Sequence, residues 1–185
     1  PSFIAPNIAN ICHNKHLFRT HLDNIQGNIN HKVLRHPDDI GDFGFPCIIK
    51  PVDSQGQRGV YLVNTKKELK DKFDKVIQFS ETETSIVEHY VEGPEVSVSV
   101  YVIEGEITFS IISDRIVWPE YPGGLVQKHR IQSQLVNDES TTKINALVEN
   151  TSNTLGVKNG PVYVEIKLED HQPKLIEVTT RLDGC

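Results

Sequence analysis

The chain of 185 residues has no methionine, no Cys-x-x-Cys pair and no apolar stretch long enough to cross a membrane. Its three cysteines, Cys12, Cys47 and Cys185, are odd in number and widely separated, which is typical of a reducing compartment. We therefore expect a cytoplasmic protein without a membrane partner. A basic excess is also lacking, since the net charge is −6, and this argues against a nucleic-acid partner.

Both ends of the sequence look cut. The chain opens on Pro1, without an initiating methionine, and stops at Cys185 directly after a strand-like run. We expect a piece of a longer protein, and the sequence does not predict its oligomeric state.

Three common catalytic or binding motifs are missing. The Walker lysine motif and the Gly-x-Gly-x-x-Gly fingerprint do not occur, so the usual mononucleotide and dinucleotide folds lose their best support. A Gly-x-Ser-x-Gly nucleophile elbow is also lacking, so serine hydrolysis has no sequence signal.

The order of the predicted elements is mixed, with hairpins rather than steady β-α-β alternation. Periodicity and turn residues predict helices at 14–25, 65–77 and 139–155, and strands at 45–51, 60–63, 84–91, 95–103, 107–111, 161–168 and 174–181. This order predicts an α+β fold of two lobes that meet near Gly93. We divide the chain into an N-terminal segment and helix (1–27), a smaller lobe (28–92) and a larger lobe (93–185).

Two glutamates lie in the last two strand-like runs, which read as one hairpin. If the turn is symmetric about His171, Glu165 faces Glu177 across the ladder, where like charges are destabilising unless a cation lies between them. Alternation places Thr179 and Arg181 on the face of Glu177. Such a set suits a magnesium ion carrying a nucleotide phosphate. The alternative is the solvated outer face of an edge hairpin.

A second candidate is a glycine-bearing loop after a strand that ends in Lys50. Gly56 and Gly59 would let backbone N–H groups approach phosphate oxygens, and Arg58 could add a charged fork. An ordinary hairpin loop has the same composition.

The third candidate is the segment from Glu88 to Glu95. A strand that ends at Glu88 would leave free backbone groups from His89 to Val91, which could contact an adenine edge. Glu95 could then accept hydrogen bonds from ribose hydroxyls. Alone, the segment is also consistent with an acidic loop between strands.

Taken in order, these elements resemble the ATP-grasp superfamily, closest to its carbamoyl-phosphate-synthase-like and amino-acid-ligase branches. The resemblance rests on Asn14-Lys15, Ile48-Ile49-Lys50-Pro51, Gly56-Gln57-Arg58-Gly59, the run from Ile86 to Glu95, Val164-Glu165 and the run from Ile176 to Arg181. It implies an ATP-grasp fold with the nucleotide site between the lobes. The resemblance implies a further N-terminal domain in relatives, and we expect this chain to be a fragment without it.

The resemblance also implies roles for single residues. Lys15, Lys50 and the loop from Gly56 to Gly59 would hold ATP phosphates. Glu88, His89 and Val91 would contact adenine, and Glu95 the ribose. Glu165, Glu177 and Thr179 would hold Mg²⁺ or Mn²⁺, with Lys50 and Arg181 as catalytic residues. Gln127 and His129 fall where some relatives have further phosphate contacts.

The implied activity is an ATP-dependent ligase that activates a small-molecule carboxylate as an acyl phosphate for attack by an amine or similar nucleophile. The family usually has asparagine two residues after the second glutamate, where this chain has Thr179, a shorter ligand that leaves open whether one or two metals bind. A non-catalytic ATP-binding regulatory module is therefore the alternative function.

A different alternative is a metal site near the N-terminus. Cys12, His13, His16 and His21 are close in sequence, but they do not follow a zinc pattern, and exposed positions on a helix also explain them.

Overall fold

Two antiparallel sheets and their covering helices make up the computed structural model, which describes residues 4–118 and 126–182. The helices are α1 (Pro6–His13), α2 (Lys15–His21), α3 (Lys66–Ile77) and α4 (Asp138–Leu155), with a 3-10 helix at Pro37–Ile40. The strands are β1 (His31–Leu34), β2 (Cys47–Pro51), β3 (Tyr61–Val63), β4 (Ser85–His89), β5 (Glu95–Ile103), β6 (Glu106–Val117), β7 (Val126–Ile131), β8 (Gly160–Glu169) and β9 (Gln172–Thr179).

The smaller sheet has four strands in the order β1-β4-β2-β3. Helix α3 covers one face, because Leu69, Phe73 and Val76 recur at helical spacing and are buried against β2 and β3. The helix starts where predicted, since the Thr65 side chain accepts a hydrogen bond from the Glu68 N–H at 3.1 Å.

The larger sheet has five strands in the order β7-β6-β5-β8-β9. Its two faces differ because apolar and polar residues alternate along β5 and β8. One face packs with α1, α2 and α4 into a buried core that includes Val96, Val98, Val164, Ile166 and Val178. The opposite face carries the polar residues and is turned toward the smaller sheet. The predicted two-lobed α+β fold is confirmed.

The chain passes from the smaller to the larger sheet at Gly93. This residue has φ of +132°, and an added Cβ would lie 2.2 Å from the Leu168 carbonyl oxygen. Any side chain at this position would force the link between β4 and β5 away from β8. The glycine therefore fixes how closely the two sheets approach.

Several elements differ from the prediction. The helix expected over 14–25 is shorter, because α2 ends at His21, and α1 (Pro6–His13) before it was not predicted. The Asn14 side chain caps α2 by accepting from the His16 and Leu17 N–H groups. Strands β1 and β7 were not predicted. The segment 118–124, which its proline and glycine content predicts to be a loop, lies almost wholly outside the described residues. Within 4–118 and 126–182, no helix is long and apolar enough to span a membrane.

Candidate active site

A cleft of about 1270 Å³ lies between the two sheets. It brings together every predicted site residue except Gly59. Gly59 lies in the same loop but packs closely against Phe79 and Pro51. An added Cβ would lie 2.9 Å from the Phe79 ring and 3.1 Å from Pro51, so the loop needs glycine here. Gly56 lines the cleft, has φ of +71° and has open space at its Cβ position.

The hairpin of β8 and β9 places Glu165 directly opposite Glu177, as predicted. The predicted turn is wrong, however. Glu169 pairs with Gln172 around a two-residue turn at Asp170 and His171, so the turn is not centred on His171. Pro173, expected in the turn, lies in β9, which is an edge strand and tolerates proline.

A β-bulge at Ile176 restores the predicted register. Ile166 pairs with Leu175 while Glu165 pairs with Glu177, which leaves Ile176 as an extra residue. Leu175 and Val178 are both buried in the core, although strict alternation would place them on opposite faces. Because of the bulge, Ile176, Glu177 and Thr179 all line the cleft.

The opposite wall of the cleft carries a buried ion-pair network. Lys50 Nζ lies 2.7 Å from Glu88 Oε2, and Arg19 Nε lies 2.8 Å from Glu88 Oε1. Burial alone would raise the pKa of Glu88, but the charges of Arg19 and Lys50 lower it to about 2. The Glu88 carboxylate is therefore an internal counter-ion of Arg19 and Lys50, and the adenine contact expected of Glu88 stays a prediction.

Lys15 lies at the start of α2 and donates from Nζ to the Ser54 carbonyl oxygen of the glycine-bearing loop. Burial, and next the nearby charge of Lys50, lower the pKa of Lys15 from 10.5 to about 8. Arg58 in the same loop is exposed and donates from Nε to the Gln55 carbonyl oxygen at 3.2 Å. Lys15, Lys50 and Arg58 thus place three positive charges on the side of the cleft next to the glycine-bearing loop.

The segment after β4 is more tightly held than expected. The His89 N–H donates to the Asn30 carbonyl oxygen at 3.0 Å, and the Tyr90 N–H donates to the Pro46 carbonyl oxygen at 3.4 Å. The Val91 carbonyl oxygen accepts from Lys167 Nζ at 3.2 Å. The prediction of free backbone groups from His89 to Val91 is therefore wrong for these three groups.

Two cations on the larger sheet were not predicted as site residues. Arg115 on β6 forms an ion pair with Glu95, and its Nε lies 3.4 Å from Glu165 Oε1. Burial alone would lower the pKa of Arg115, but the negative charges of Glu165 and Glu95 raise it above its ordinary value. Lys167 Nζ lies 3.5 Å from Glu95 Oε1. Glu95 thus faces the cleft between two cations.

No local signal identifies Arg115 in the sequence, since its partners lie on other strands. His129 and Gln127, which the resemblance suggested, lie on β7 and line the same cleft. The His129 ring lies beside Ser97, with Nδ1 3.1 Å from the Ser97 hydroxyl.

The donor set fits a magnesium ion. Thr179 Oγ1 is buried and has no hydrogen-bond partner among the described residues, and it lies two residues from Glu177 at the same wall. Two carboxylates with a hydroxyl suit Mg²⁺, which keeps several waters and takes its other ligands from phosphate. Arg181 lines the same wall and donates from Nη1 to the Leu182 carbonyl oxygen.

The alternative metal site near the N-terminus is not supported. Cys12 is buried with a free thiol, while His13, His16 and His21 are exposed. Burial, and next the charge of Glu177, raise the pKa of Cys12 to about 12. Across 4–118 and 126–182, no group of three or more His, Cys, Asp or Glu residues could hold a metal.

Comparison with known proteins gives matches over most of the chain. A family model described as an ATP-grasp domain matches residues 43–185. The D-alanine–D-alanine ligase of Petrotoga mobilis is 26% identical over 172 residues, which cover 89% of this chain and 54% of that protein. The D-alanine–D-alanine ligase of Flavobacterium johnsoniae is 27% identical over 144 residues, covering 74% of this chain and 43% of that protein.

Solved structures share the fold. An L-amino acid ligase from Bacillus licheniformis has a TM-score of 0.80 at 22% identity, and the match covers 100% of this chain and 44% of that one. The chain spans from 23% to 54% of the length of the curated relatives it matches.

Proposed function

This chain belongs to the ATP-grasp domain family, and on that premise we propose that it is the nucleotide-binding part of an ATP- and magnesium-dependent ligase. The observation that carries the proposal is the pairing of Glu165 with Glu177 in the cleft that also contains Lys15 and Lys50. Cations for phosphate and carboxylates for a metal then lie on opposite walls of one cavity.

The proposed reaction forms a carbon–nitrogen bond in two steps. A substrate carboxylate oxygen attacks the terminal phosphorus of ATP, the bond to the bridging oxygen breaks, and ADP leaves. An amine nitrogen then attacks the acyl carbon, inorganic phosphate leaves and one proton is released. Positioning and charge neutralisation dominate such phosphoryl transfer, so the cleft needs cations more than a general base.

We assign the roles as follows. Lys15, Lys50 and the loop with Gly56 and Arg58 hold the phosphates, and Gly59 shapes that loop. The backbone near His89 and Val91 borders the adenine, and Glu95 the ribose. Glu165, Glu177 and Thr179 hold Mg²⁺, which neutralises charge on the phosphates; Mn²⁺ could serve in the same position. Arg181 steadies the transferred phosphate or the carboxylate.

Relatives named D-alanine–D-alanine ligase and a neighbour named L-amino acid ligase support an amino-acid carboxylate and amine as substrates. The carbamoyl-phosphate-synthase-like subtype rests on the motifs alone. We also propose a cytoplasmic protein and keep the division into residues 1–27, 28–92 and 93–185.

A non-catalytic ATP-binding module is the second candidate. The observation that favours it is Thr179, which offers one hydroxyl oxygen where the family usually has an amide. Such a module would bind the nucleotide without transferring phosphate.

Calorimetric titration with ATP, with and without Mg²⁺, tests the proposal. We expect binding that strengthens with Mg²⁺, followed by ADP release when amino acids are supplied as carboxylate and amine. Tight binding without ADP release across the amino-acid pool would favour the regulatory module. No binding under either condition would exclude both functions.

A further inference from the structure

Arg19 is a fully buried arginine where α2, β4 and β9 meet. Its side chain uses all three guanidinium nitrogens. The contacts are Nε and Nη2 to the Glu88 carboxylate at 2.8 and 3.2 Å, Nη1 to the Leu175 carbonyl oxygen at 2.7 Å and to Asn28 Oδ1 at 3.1 Å, and Nη2 to the Ile176 carbonyl oxygen at 2.8 Å. The proposed function gives this residue no role.

Two of these contacts fall on the β-bulge at Ile176. A bulge interrupts the ladder, so some of its backbone groups need partners from outside the hairpin. Arg19 donates to the two consecutive carbonyls, of Leu175 and of Ile176, immediately before Glu177. The guanidinium therefore holds the backbone conformation that reverses the side-chain alternation.

The bulge decides where Glu177 points. Leu175 is fully buried in the core, and residues two apart share one face of a regular strand. Without the extra residue, Glu177 would point with Leu175 into the core and away from Glu165. The proposed metal pair thus depends on a bulge that Arg19 holds.

The other end of the guanidinium fixes Glu88. Arg19 contacts both carboxylate oxygens, and Oε2 also lies 2.7 Å from Lys50 Nζ. A bidentate arginine fixes the plane of a carboxylate, which lysine cannot do. Glu88 in turn sets the position of the Lys50 ammonium at the edge of the cleft.

We propose that Arg19 is a positioning residue that aligns the metal carboxylate Glu177 on one wall of the cleft with the phosphate lysine Lys50 on the other. This inference rests on the proposed function. It makes one buried side chain, outside the reacting groups, responsible for the relative placement of metal and phosphate sites.

The test is Arg19→Lys in the full chain, which keeps the positive charge and removes the planar fork. We expect the Mg²⁺ concentration needed for half-maximal strengthening of ATP binding to rise about 10–100-fold, the scale seen when outer partners of metal ligands are lost. Calorimetric titration of ATP at several Mg²⁺ concentrations measures this constant without requiring turnover.

Leu155→Ala is the matched control, because Leu155 is a buried core residue of α4 on the apolar side of the sheet. It should lower the unfolding midpoint while leaving the Mg²⁺ constant unchanged. If Arg19→Lys does not fold, Asn28→Ala replaces it, since it removes a single acceptor of Arg19. We expect a shift of roughly threefold for that hydrogen bond.

The outcomes separate the two claims. A wild-type chain that binds no ATP with Mg²⁺ overturns the proposed function and this inference with it. Wild-type binding together with an unchanged Mg²⁺ constant in Arg19→Lys, or an equal rise in Leu155→Ala, overturns the role of Arg19 alone.

Discussion

The two walls of the cleft hold their carboxylates in different ways. On the smaller sheet, Glu88 is 4% exposed and lies between the charges of Arg19 and Lys50. On the larger sheet, Glu165 and Glu177 face each other and line the open cleft, and the Glu165 side chain is 22% exposed. The carboxylate of one wall is therefore enclosed by its own counter-ions. On the other wall Glu165 lies 3.4 Å from Arg115, and both glutamates line the open cleft, where a metal ion could reach them.

The Glu88 carboxylate should therefore matter mainly for the stability of the fold, and the Glu165 and Glu177 carboxylates mainly for binding a metal ion. A buried carboxylate between two cations is costly to disturb, because its loss leaves charges without compensation in a low-dielectric interior. Glu165 and Glu177 line the open cleft instead, and Glu165 has Arg115 beside it, so the loss of one charge there disturbs no buried network. The same chemical change, glutamate to glutamine, should therefore cost much more stability on the smaller sheet than on the larger one.

The largest expected effect is the loss of stability in Glu88→Gln. The amide leaves the buried Arg19 and Lys50 side chains without their shared counter-ion, which should lower the free energy of unfolding by about 3–5 kcal/mol. Urea unfolding followed by circular dichroism measures it. If the free energy of unfolding falls by less than about 1 kcal/mol, the scale of an exposed ion pair, then Glu88 contributes no more than a surface carboxylate would.

The second prediction concerns Glu177→Gln, the same change on the other wall. We expect little change in stability, because Glu177 lines the open cleft and lies outside the buried network of Arg19, Lys50 and Glu88. Magnesium-dependent phosphate release should fall by about two orders of magnitude, the scale expected for one stabilising group. Glu169→Gln in the same hairpin is the control, and equal phosphate release in both variants would remove Glu177 from the site.

The third prediction uses the pH dependence of Lys15. Its pKa is about 8, so the ammonium form is present below that pH and is lost as the pH rises through it. ATP affinity should therefore fall roughly tenfold from about pH 7 to pH 9 as the proton dissociates. Glu88, with a pKa of about 2, stays ionised throughout this window.

Lys15→Arg is the control for that titration, because a guanidinium stays protonated over the whole range. Its ATP affinity should be nearly independent of pH between about 7 and 9. An equal fall in both proteins would mean that another group, or the nucleotide itself, causes the pH dependence.

The two walls also differ in how far the sequence predicts them. Lys50 at a strand end and the start of α3 at Thr65 follow from local sequence patterns. The facing glutamates were predicted from a turn centred on His171, and they face each other only because the Ile176 bulge compensates for a two-residue turn. The Ile176 bulge is not local, since it is stabilised by Arg19, more than 150 residues earlier in the chain. Arg19 lies within the helix predicted over 14–25 and was not predicted as a site residue, because its burial depends on Glu88, Leu175 and Ile176 coming together.

Arg115 escaped prediction for a similar reason. Its partners Glu95 and Glu165 lie on β5 and β8, so the ion pairs depend on strand order, which alternation within β6 does not specify. Glu88 was assigned to adenine by the resemblance, whereas the counter-ions of its carboxylate come from α2 and β2.

The smallest expected effect is that of Thr179→Asn, on the wall of the cleft that carries Glu165 and Glu177. Thr179 Oγ1 is buried without a hydrogen-bond partner among the described residues, and an asparagine oxygen would extend further toward the carboxylate pair. One additional oxygen ligand should tighten Mg²⁺-dependent ATP binding by roughly threefold, comparable to one hydrogen bond. Calorimetric titration at several Mg²⁺ concentrations measures it, with Thr180→Asn as the control. If neither variant tightens binding, then the Thr179 hydroxyl already serves the metal as well as an amide would.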